Sequence, residues 1–160
     1  MKKLRLAAIG ALVAGAGLLF PASAQAAPTY WTFTNGRFST CLTAGDTGTA
    51  FATSCVGSTR QQWDWVSDGP GSSQALKNRN TGLCLMTDNK TNTNAVWMST
   101  CNGSAGQWWY YDAATRCLNN ILGGEGDGYL RTDEVVRDAV YATDFGQTDD
   151  SYFHWFGTHD

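Results

Sequence analysis

The sequence has little charge and almost no histidine, and both shortages argue against catalysis. Asp, Glu, Lys and Arg make up 16% of its 160 residues, and the two histidines, His154 and His159, lie in the last seven positions. No metal-ligand spacing, nucleophile elbow, phosphate-binding loop or dinucleotide fingerprint is present. The pair Asp149-Asp150 is interpreted as a solvated acidic loop, because glycoside hydrolysis needs two carboxylates across a cleft. We therefore predict no enzymatic activity, no cofactor and no metal site.

Long apolar runs are absent outside the first 20 residues. That start carries three cations (Lys2, Lys3 and Arg5), then an uncharged apolar run, then the small-x-small cleavage site Ala24-Gln25-Ala26. The run is too short and too rich in Ala and Gly to span a bilayer stably. We predict a signal peptide over residues 1–26 and a secreted, extracellular mature chain over residues 27–160.

Positive charge is scarce in that mature chain. Residues 1–26 hold three of the 11 basic residues and none of the 14 acidic ones, so their removal moves the formal net charge from −3 to −6. An acidic chain has no electrostatic reason to seek nucleic acid or an anionic membrane. The remaining length suits one domain with a real core. We expect a monomer that binds neither nucleic acid nor membrane.

Helical periodicity is also missing. No stretch places apolar residues at helical spacing for more than about two turns. Short runs rich in Thr, Tyr and Trp alternate with clusters of Gly, Asn and Asp, which is typical of strands and turns. Five cysteines in an exported chain indicate disulfides with one thiol left over. The sequence predicts an all-β domain.

A threefold repeat is the strongest positive feature. Trp63, Trp109 and Trp155 are spaced 46 and 46 residues apart. Gln61 and Gln107 stand two residues before the first and second of them, each forming a Q-x-W, whereas the third unit has Phe153-His154-Trp155. Repeats at such a period indicate one structural unit per repeat.

Each unit also contains a strand-like pentamer, at residues 50–54, 96–100 and 140–144. The first two are followed at once by Cys55 and Cys101, and the third by Phe145. Upstream, each unit has a Cys-Leu step, which begins at Cys41, Cys84 and Cys117. The pattern predicts the disulfides Cys41–Cys55 and Cys84–Cys101, worth about 3 kcal/mol each. Cys117 then lacks a partner; we favour a buried free thiol against Phe145 over a reactive or intermolecular cysteine.

These features resemble the ricin B-type lectin family, over essentially the whole mature chain. The resemblance implies a single-domain β-trefoil with repeats at about residues 30–72, 73–109 and 110–156. It further implies that Trp63, Trp109 and Trp155 are core residues, that Gln61 and Gln107 are structural, and that the ligand is a carbohydrate. Six strands would form a closed barrel and six would cap one end.

The sugar pocket of that family is not retained. The resemblance implies an Asp two residues after the first Cys, an aromatic two residues before the second, and an Asn before the Gln of Q-x-W. In this sequence the Asp positions hold Thr43, Met86 and Asn119, the aromatic positions hold Thr53, Ser99 and Thr143, and the first two Asn positions hold Arg60 and Gly106.

An aromatic residue is nevertheless present in each pentamer, displaced by two positions along the same strand face. These residues are Phe51, Trp97 and Tyr141. We predict that they form stacking platforms for a pyranose, with Asp46, Asp88 and Asn89 as hydroxyl acceptors on nearby turns. The alternative is that the three aromatics pack between repeats.

The third unit contains an apparent insertion, a loop that begins at Leu122 and ends at Val136. Its glycines and acidic residues could bind Ca²⁺, but it matches no calcium motif and we favour a solvated insertion. Two functions follow from these patterns. The first is a secreted module that binds polysaccharide at non-standard sites; the alternative is a trefoil that has lost sugar binding and engages a protein.

Overall fold

The computed structural model of the protein describes residues 29–123 and 128–160, so the predicted signal peptide and four residues of the third-repeat loop lie outside the described residues. The described part is all-β, as predicted. The first repeat contains β1 (Trp31–Asn35), β2 (Thr40–Ala44), β3 (Ala50–Ser54) and β4 (Trp63–Asp68). The second contains β5 (Gln74–Asn78), β6 (Cys84–Thr87), β7 (Thr93–Ser99) and β8 (Trp108–Asp112). The third contains β9 (Cys117–Asn120), β10 (Tyr129–Thr132), β11 (Val140–Thr143) and β12 (Trp155–His159).

The first and last strands of the repeats form a barrel. β1 pairs with β4 and β12, β4 with β5, β5 with β8, and β8 with β9. The backbone N–H of Trp155 donates to the carbonyl of Arg116 at 2.7 Å, which joins the start of β12 to the residue before β9. The barrel therefore closes and leaves no long unpaired edge.

Three hairpins, β2–β3, β6–β7 and β10–β11, cover one end of this barrel. Within the described residues, four short 3-10 helices lie in the connections, at Thr59–Gln61, Ala105–Gln107, Ile121–Gly123 and Asp150–Tyr152. At the opposite end of the barrel lie the start of β1, the end of β12 and the β4–β5 and β8–β9 turns. The fold therefore has a capped end and an open end.

Three tryptophans fill the core, as predicted. Trp63, Trp109 and Trp155 are each 0% exposed. Their indole N–H groups donate to the carbonyls of Leu42, Leu85 and Leu130, each at 3.0 Å. The same hydrogen bond in each repeat both satisfies the buried indole and ties the last strand of the repeat to its hairpin.

The glutamine of Q-x-W holds the loop that follows the hairpin in the first two repeats. Gln61 is 1% exposed; its side chain donates to Ser54 O at 2.9 Å and accepts from Val56 N at 2.8 Å. Gln107 makes the equivalent bonds, donating to Thr100 O at 2.8 Å and accepting from Asn102 N at 3.0 Å. Both predicted disulfides are present, Cys41–Cys55 and Cys84–Cys101.

The predicted alignment of the third repeat is wrong. Hairpin pairing aligns Leu42 with Ala52, Leu85 with Met98, and Leu130 with Ala142. The third equivalent of the Cys-Leu step is therefore Tyr129-Leu130, not Cys117-Leu118. Cys117-Leu118 begins β9, the first strand of the repeat.

A buried asparagine at the end of each first strand marks the correct alignment. Asn35, Asn78 and Asn120 are at most 1% exposed, and each accepts hydrogen bonds from the turn that follows it. Each side chain also donates to a backbone carbonyl near a 3-10 helix, at Tyr152, Arg60 and Gly106 respectively. These asparagines follow Phe33, Leu76 and Leu118 by two residues, a repeated pattern that the sequence analysis missed.

The apparent insertion is largely a consequence of the wrong alignment. The segment from Leu122 to Val136 contains β10 itself, and part of it, residues 124–127, lies outside the described residues. From Tyr129 to Val140 there are 11 residues, close to the 9 and 12 of the other repeats. The third repeat differs from the others in the connection between its first two strands. Asn120 and Tyr129 are 9 positions apart, whereas the equivalent residues of the other two repeats are 6 positions apart. The limit predicted after residue 109 also needs correction, because it falls inside β8.

Candidate functional site

The three displaced aromatics lie where the hairpins meet at the capped end. Isolated bridges join Phe51 to Ala139 and Trp97 to Thr49, and the β7–β11 ladder joins Tyr141 to Ala95. Each aromatic thus faces the backbone of the preceding repeat around the barrel, two residues before that repeat's own aromatic. All three side chains are half-buried. The arrangement is a ring that both packs the repeats together and leaves part of each aromatic at the surface.

The predicted acceptors are held by other groups of the chain. Asp46 forms an ion pair with Arg60, and Asp88 with Lys90 at 3.1 Å. The amide oxygen of Asn89 accepts from Asn94 Nδ2 at 3.0 Å. Asn89 also lines an open recess of about 200 Å³ that Asp144 completes from the third repeat. Trp97 does not line this recess, so the structure brings Asn89 to the third repeat rather than to Trp97.

The hairpin of the third repeat carries a largely buried arginine, whose side chain is 11% exposed. Arg131, not Asn119, stands at the position paired with Tyr141. It donates from Nε to Thr143 Oγ1 at 3.2 Å and from Nη1 to Asp133 Oδ2 at 3.2 Å, and its guanidinium lies 5.3 Å from the centre of the Tyr141 ring. The backbone N–H of Val136, with that of Val135 and with Arg131, holds the pKa of Asp133 below its ordinary value.

A second aromatic group lies at the open end of the barrel. Trp65 and Tyr111 follow the core residues Trp63 and Trp109 by two positions, and Trp31 precedes Phe33 by two, so all three extend the core toward that end. Together they border a pocket of about 310 Å³, here called the mouth pocket; its remaining lining residues are Ser72, Gln74, Trp109 and Tyr110.

Comparison with known proteins shows which fold this chain shares with them. A profile of the family described as ricin-type beta-trefoil lectin domain-like matches residues 19–96. The designed threefold-symmetric protein ThreeFoil is 18% identical, with a TM-score of 0.67 and coverage of 81% of this chain and 97% of that one. The agglutinin from Abrus precatorius is 18% identical, with a TM-score of 0.63 over 81% of this chain and 47% of its own. Residues 19–96 thus match the ricin-type lectin-like family, and the fold of the chain is a β-trefoil.

Similar trefoils also form small parts of longer proteins. A mosquitocidal holotoxin is 16% identical, with a TM-score of 0.67, over 82% of this chain and 17% of the holotoxin chain. No curated protein sequence matches this chain significantly. At these identities the solved structures establish the trefoil fold alone.

The first repeat of this trefoil fills the position of the ricin-type sugar pocket with its own side chains. Thr43 is 3% exposed; its hydroxyl donates to Cys41 O at 2.8 Å and accepts from Gln61 Nε2 at 3.2 Å. Arg60 stands at the Asn position, pairs with Asp46 and reaches the carbonyl of Ala44 at 3.4 Å. A sugar would have to displace these contacts to bind in the family manner.

The second repeat lacks room for the family residues. A Cβ on Gly106, at the Asn position, would lie 1.9 Å from Thr87 O. Met86, at the Asp position, lies with its sulfur 3.9 Å from Ser104 Oγ. The position of the family sugar pocket is thus filled by an arginine in the first and third repeats and by tight backbone packing in the second.

Cys117 lies in a small pocket beside the third hairpin. The thiol is free and buried, as predicted, and burial raises its pKa. The pocket, of about 130 Å³, is also lined by Tyr110, Asn119, Tyr129 and Phe145 among others. Cys117 is not the remnant of a lost disulfide, because Tyr129 and Phe145 occupy the two equivalent positions.

The mouth pocket was not predicted, although the sequence contains a signal for it. Each core tryptophan is followed two residues later by Trp65, Tyr111 or Gly157, so two repeats carry an aromatic and the third has none. Within the described residues, no group of three or more His, Cys, Asp or Glu side chains is placed to hold a metal ion. None of the described helices is long and apolar enough to cross a membrane.

Proposed function

We propose that this trefoil is a secreted, non-catalytic module that binds neutral carbohydrate through exposed aromatic faces outside the family pockets. The observation that carries the proposal is the half-buried Trp97, which retains indole surface at the capped end. Sugar rings pack their C–H faces on such aromatic surfaces without needing the family's Asp and Asn.

The surroundings of Trp97 support this proposal. The residue is held by its strand pairing with Met86 and by its bridge to Thr49. The neighbouring backbone N–H of Met98 donates to Gly48 O at 2.8 Å. A rigid aromatic loses little conformational freedom when a ligand stacks on it.

A non-catalytic role is favoured by the way the acidic residues are used. Asp149 accepts hydrogen bonds from the side chain and backbone of Ser151, and these contacts lower its pKa. It therefore caps the helix Asp150–Tyr152. Two predicted features belong to the proposal as well, the signal peptide over residues 1–26 and the monomeric state.

A glycan array followed by retention on insoluble polysaccharide tests the proposal with the mature protein. Trp97→Ala should reduce retention severalfold, because one of several stacking faces that act together is lost. Trp108→Ala is the matched control, since that indole covers Gly69 and lines none of the surfaces discussed. Failure of the parent protein to bind any glycan would refute carbohydrate binding.

One observation favours a protein ligand instead. Val135 is 84% exposed and Val136 is 53% exposed on the β10–β11 turn, although both are apolar. Adjacent exposed aliphatic residues are common at protein-binding surfaces. The double change Val135→Ser with Val136→Ser would leave glycan retention unchanged if carbohydrate is the ligand.

A further inference from the structure

The mouth pocket exists because the third repeat lacks an aromatic residue at one position. Gly157 is the equivalent of Trp65 and Tyr111. A Cβ on Gly157 would lie 2.9 Å from Tyr111 Cε1 and 3.1 Å from Phe33 Cε1. The Tyr111 ring therefore occupies the space over this glycine.

Two hydrogen bonds hold Tyr111 in that place. Its hydroxyl donates to Trp155 O at 2.9 Å and accepts from Gly157 N at 3.0 Å. Tyr111 also contacts Phe33 edge-on, with ring centroids 5.4 Å apart. Because Tyr111 is fixed toward the third repeat, space remains between it and Trp65. The mouth pocket is thus built into the fold.

The aromatic walls of the pocket are rigid. Trp31 stacks on Phe33 with ring centroids 5.9 Å apart and an interplanar angle of 11°. Trp65 meets Phe33 edge-on at 6.1 Å. Both indoles pack against the buried core on one side while they border the pocket on the other.

The polar groups at the pocket have hydrogen-bonding capacity to spare. Gln74 uses Nε2 to donate to Asp68 at 3.2 Å, which leaves its amide oxygen to accept. In the described part of the chain, the indole N–H groups of Trp31 and Trp65 and the hydroxyl of Ser72 have no hydrogen-bond partner. These atoms are not fully buried, so they remain accessible to a ligand.

The pocket lining contains no charged side chain. Its occupant should be neutral, with an apolar face for the indoles and hydroxyls for the amide and indole N–H groups. The volume of about 310 Å³ is at the low end of the roughly 300–1,000 Å³ range of small-molecule sites. Those properties together describe one or two sugar rings.

We propose that the mouth pocket binds a pyranose ring of a neutral saccharide, packed against Trp31 and Trp65 and hydrogen-bonded by Gln74. The inference rests on the proposed carbohydrate-binding function and assigns it a single site on the barrel axis. One site per chain distinguishes it from the threefold set of aromatics at the capped end.

The test uses the mature, disulfide-bonded protein carrying Trp97→Ala, so that the main capped-end platform is removed. Soluble xylan-, cellulose- and mannan-derived hexasaccharides are titrated by calorimetry, and the indole N–H resonances are followed by NMR. We expect one site per chain, with the resonances of Trp31 and Trp65 shifting and those of the buried Trp63 and Trp155, which do not line the pocket, unchanged.

A blocking variant makes the test specific. Ser72 is exposed at the rim of the mouth pocket, so Ser72→Trp should fill the pocket without disturbing the core and should weaken binding about tenfold or more. Ala105→Trp, at an exposed site elsewhere, is the matched control and should bind as its parent does. Trp65→Ala should also weaken binding, and its melting temperature separates loss of ligand contact from loss of fold.

Four outcomes contradict the inference in different ways. Unchanged binding in the Ser72→Trp variant, or a stoichiometry of three, overturns the mouth site alone. Complete loss of binding on Trp97→Ala places the sugar at the capped end, which leaves the proposed function intact. Absence of saccharide binding by the unaltered protein overturns the proposed function and the mouth site together.

Discussion

Tyr129 and Phe145 stand in the third repeat where the other two repeats have a disulfide, and their rings meet in a T-shaped contact with centroids 5.3 Å apart. The pairings of Cys41 with Thr53, Cys84 with Ser99, and Tyr129 with Thr143 establish the equivalence. Phe145 also contacts the buried Phe153 at 5.1 Å. An aromatic cluster thus stabilises the third hairpin at the place where a disulfide stabilises the other two.

A third disulfide should form if these two positions are changed to cysteine. Tyr129→Cys with Phe145→Cys, made with Cys117→Ala to prevent mispairing in the shared pocket, closes a separation of 16 residues. The new link should add about 3 kcal/mol, from which the lost aromatic contact removes about 1 kcal/mol. Thermal melting with and without reductant measures the net gain, and thiols that stay reduced under oxidising conditions would contradict the alignment.

Peptide mapping without reduction should recover Cys41–Cys55 and Cys84–Cys101 together with a free Cys117. Because burial raises the pKa of the Cys117 thiol, it stays protonated near neutral pH, and alkylation should be slow until the chain unfolds. The control is the same alkylation in denaturant. Rapid labelling of the native protein at pH 7 would mean that the thiol is exposed.

Trp109→Ala should destabilise the fold by about 3–5 kcal/mol, because a fully buried indole is replaced by a cavity. The variant also leaves the Leu85 carbonyl without its indole donor. Chemical denaturation measures the loss, with the half-buried neighbour Trp108→Ala as a matched control of smaller effect. An unchanged denaturation midpoint for Trp109→Ala would contradict its core position.

Asp133 should contribute to stability only when it is ionised. Its pKa in the folded state is lowered, so the contribution is fully present above the ordinary carboxyl pKa and is lost as pH falls through the lower folded value. Asp133→Asn should therefore lower the melting temperature at pH 6 and have a smaller effect at pH 2. An equal effect at both pH values would show that the carboxylate charge is not involved.

Much of the fold is predictable from local patterns. The two short cysteine loops and the alternation of each pentamer lie within single repeats, so the disulfides follow from sequence alone. The tryptophan core follows from the Trp spacing together with the resemblance to the ricin B-type family. The third repeat was misaligned because Cys117-Leu118 imitates a Cys-Leu step. Leu118 is an inward residue in either alignment, so strand alternation cannot separate the two.

Tertiary structure decided the rest. The bond from Trp155 Nε1 to Leu130 O and the pairing of Leu130 with Ala142 identify the third hairpin. The mouth pocket joins Trp31, Trp65 and Tyr111 from strands that barrel closure alone brings together. The sequence by itself determined the strands and disulfides within each repeat, because the contacts that form them are local. Which side chains of different repeats meet was decided by closure of the barrel, because residues distant in sequence become neighbours only when the barrel forms.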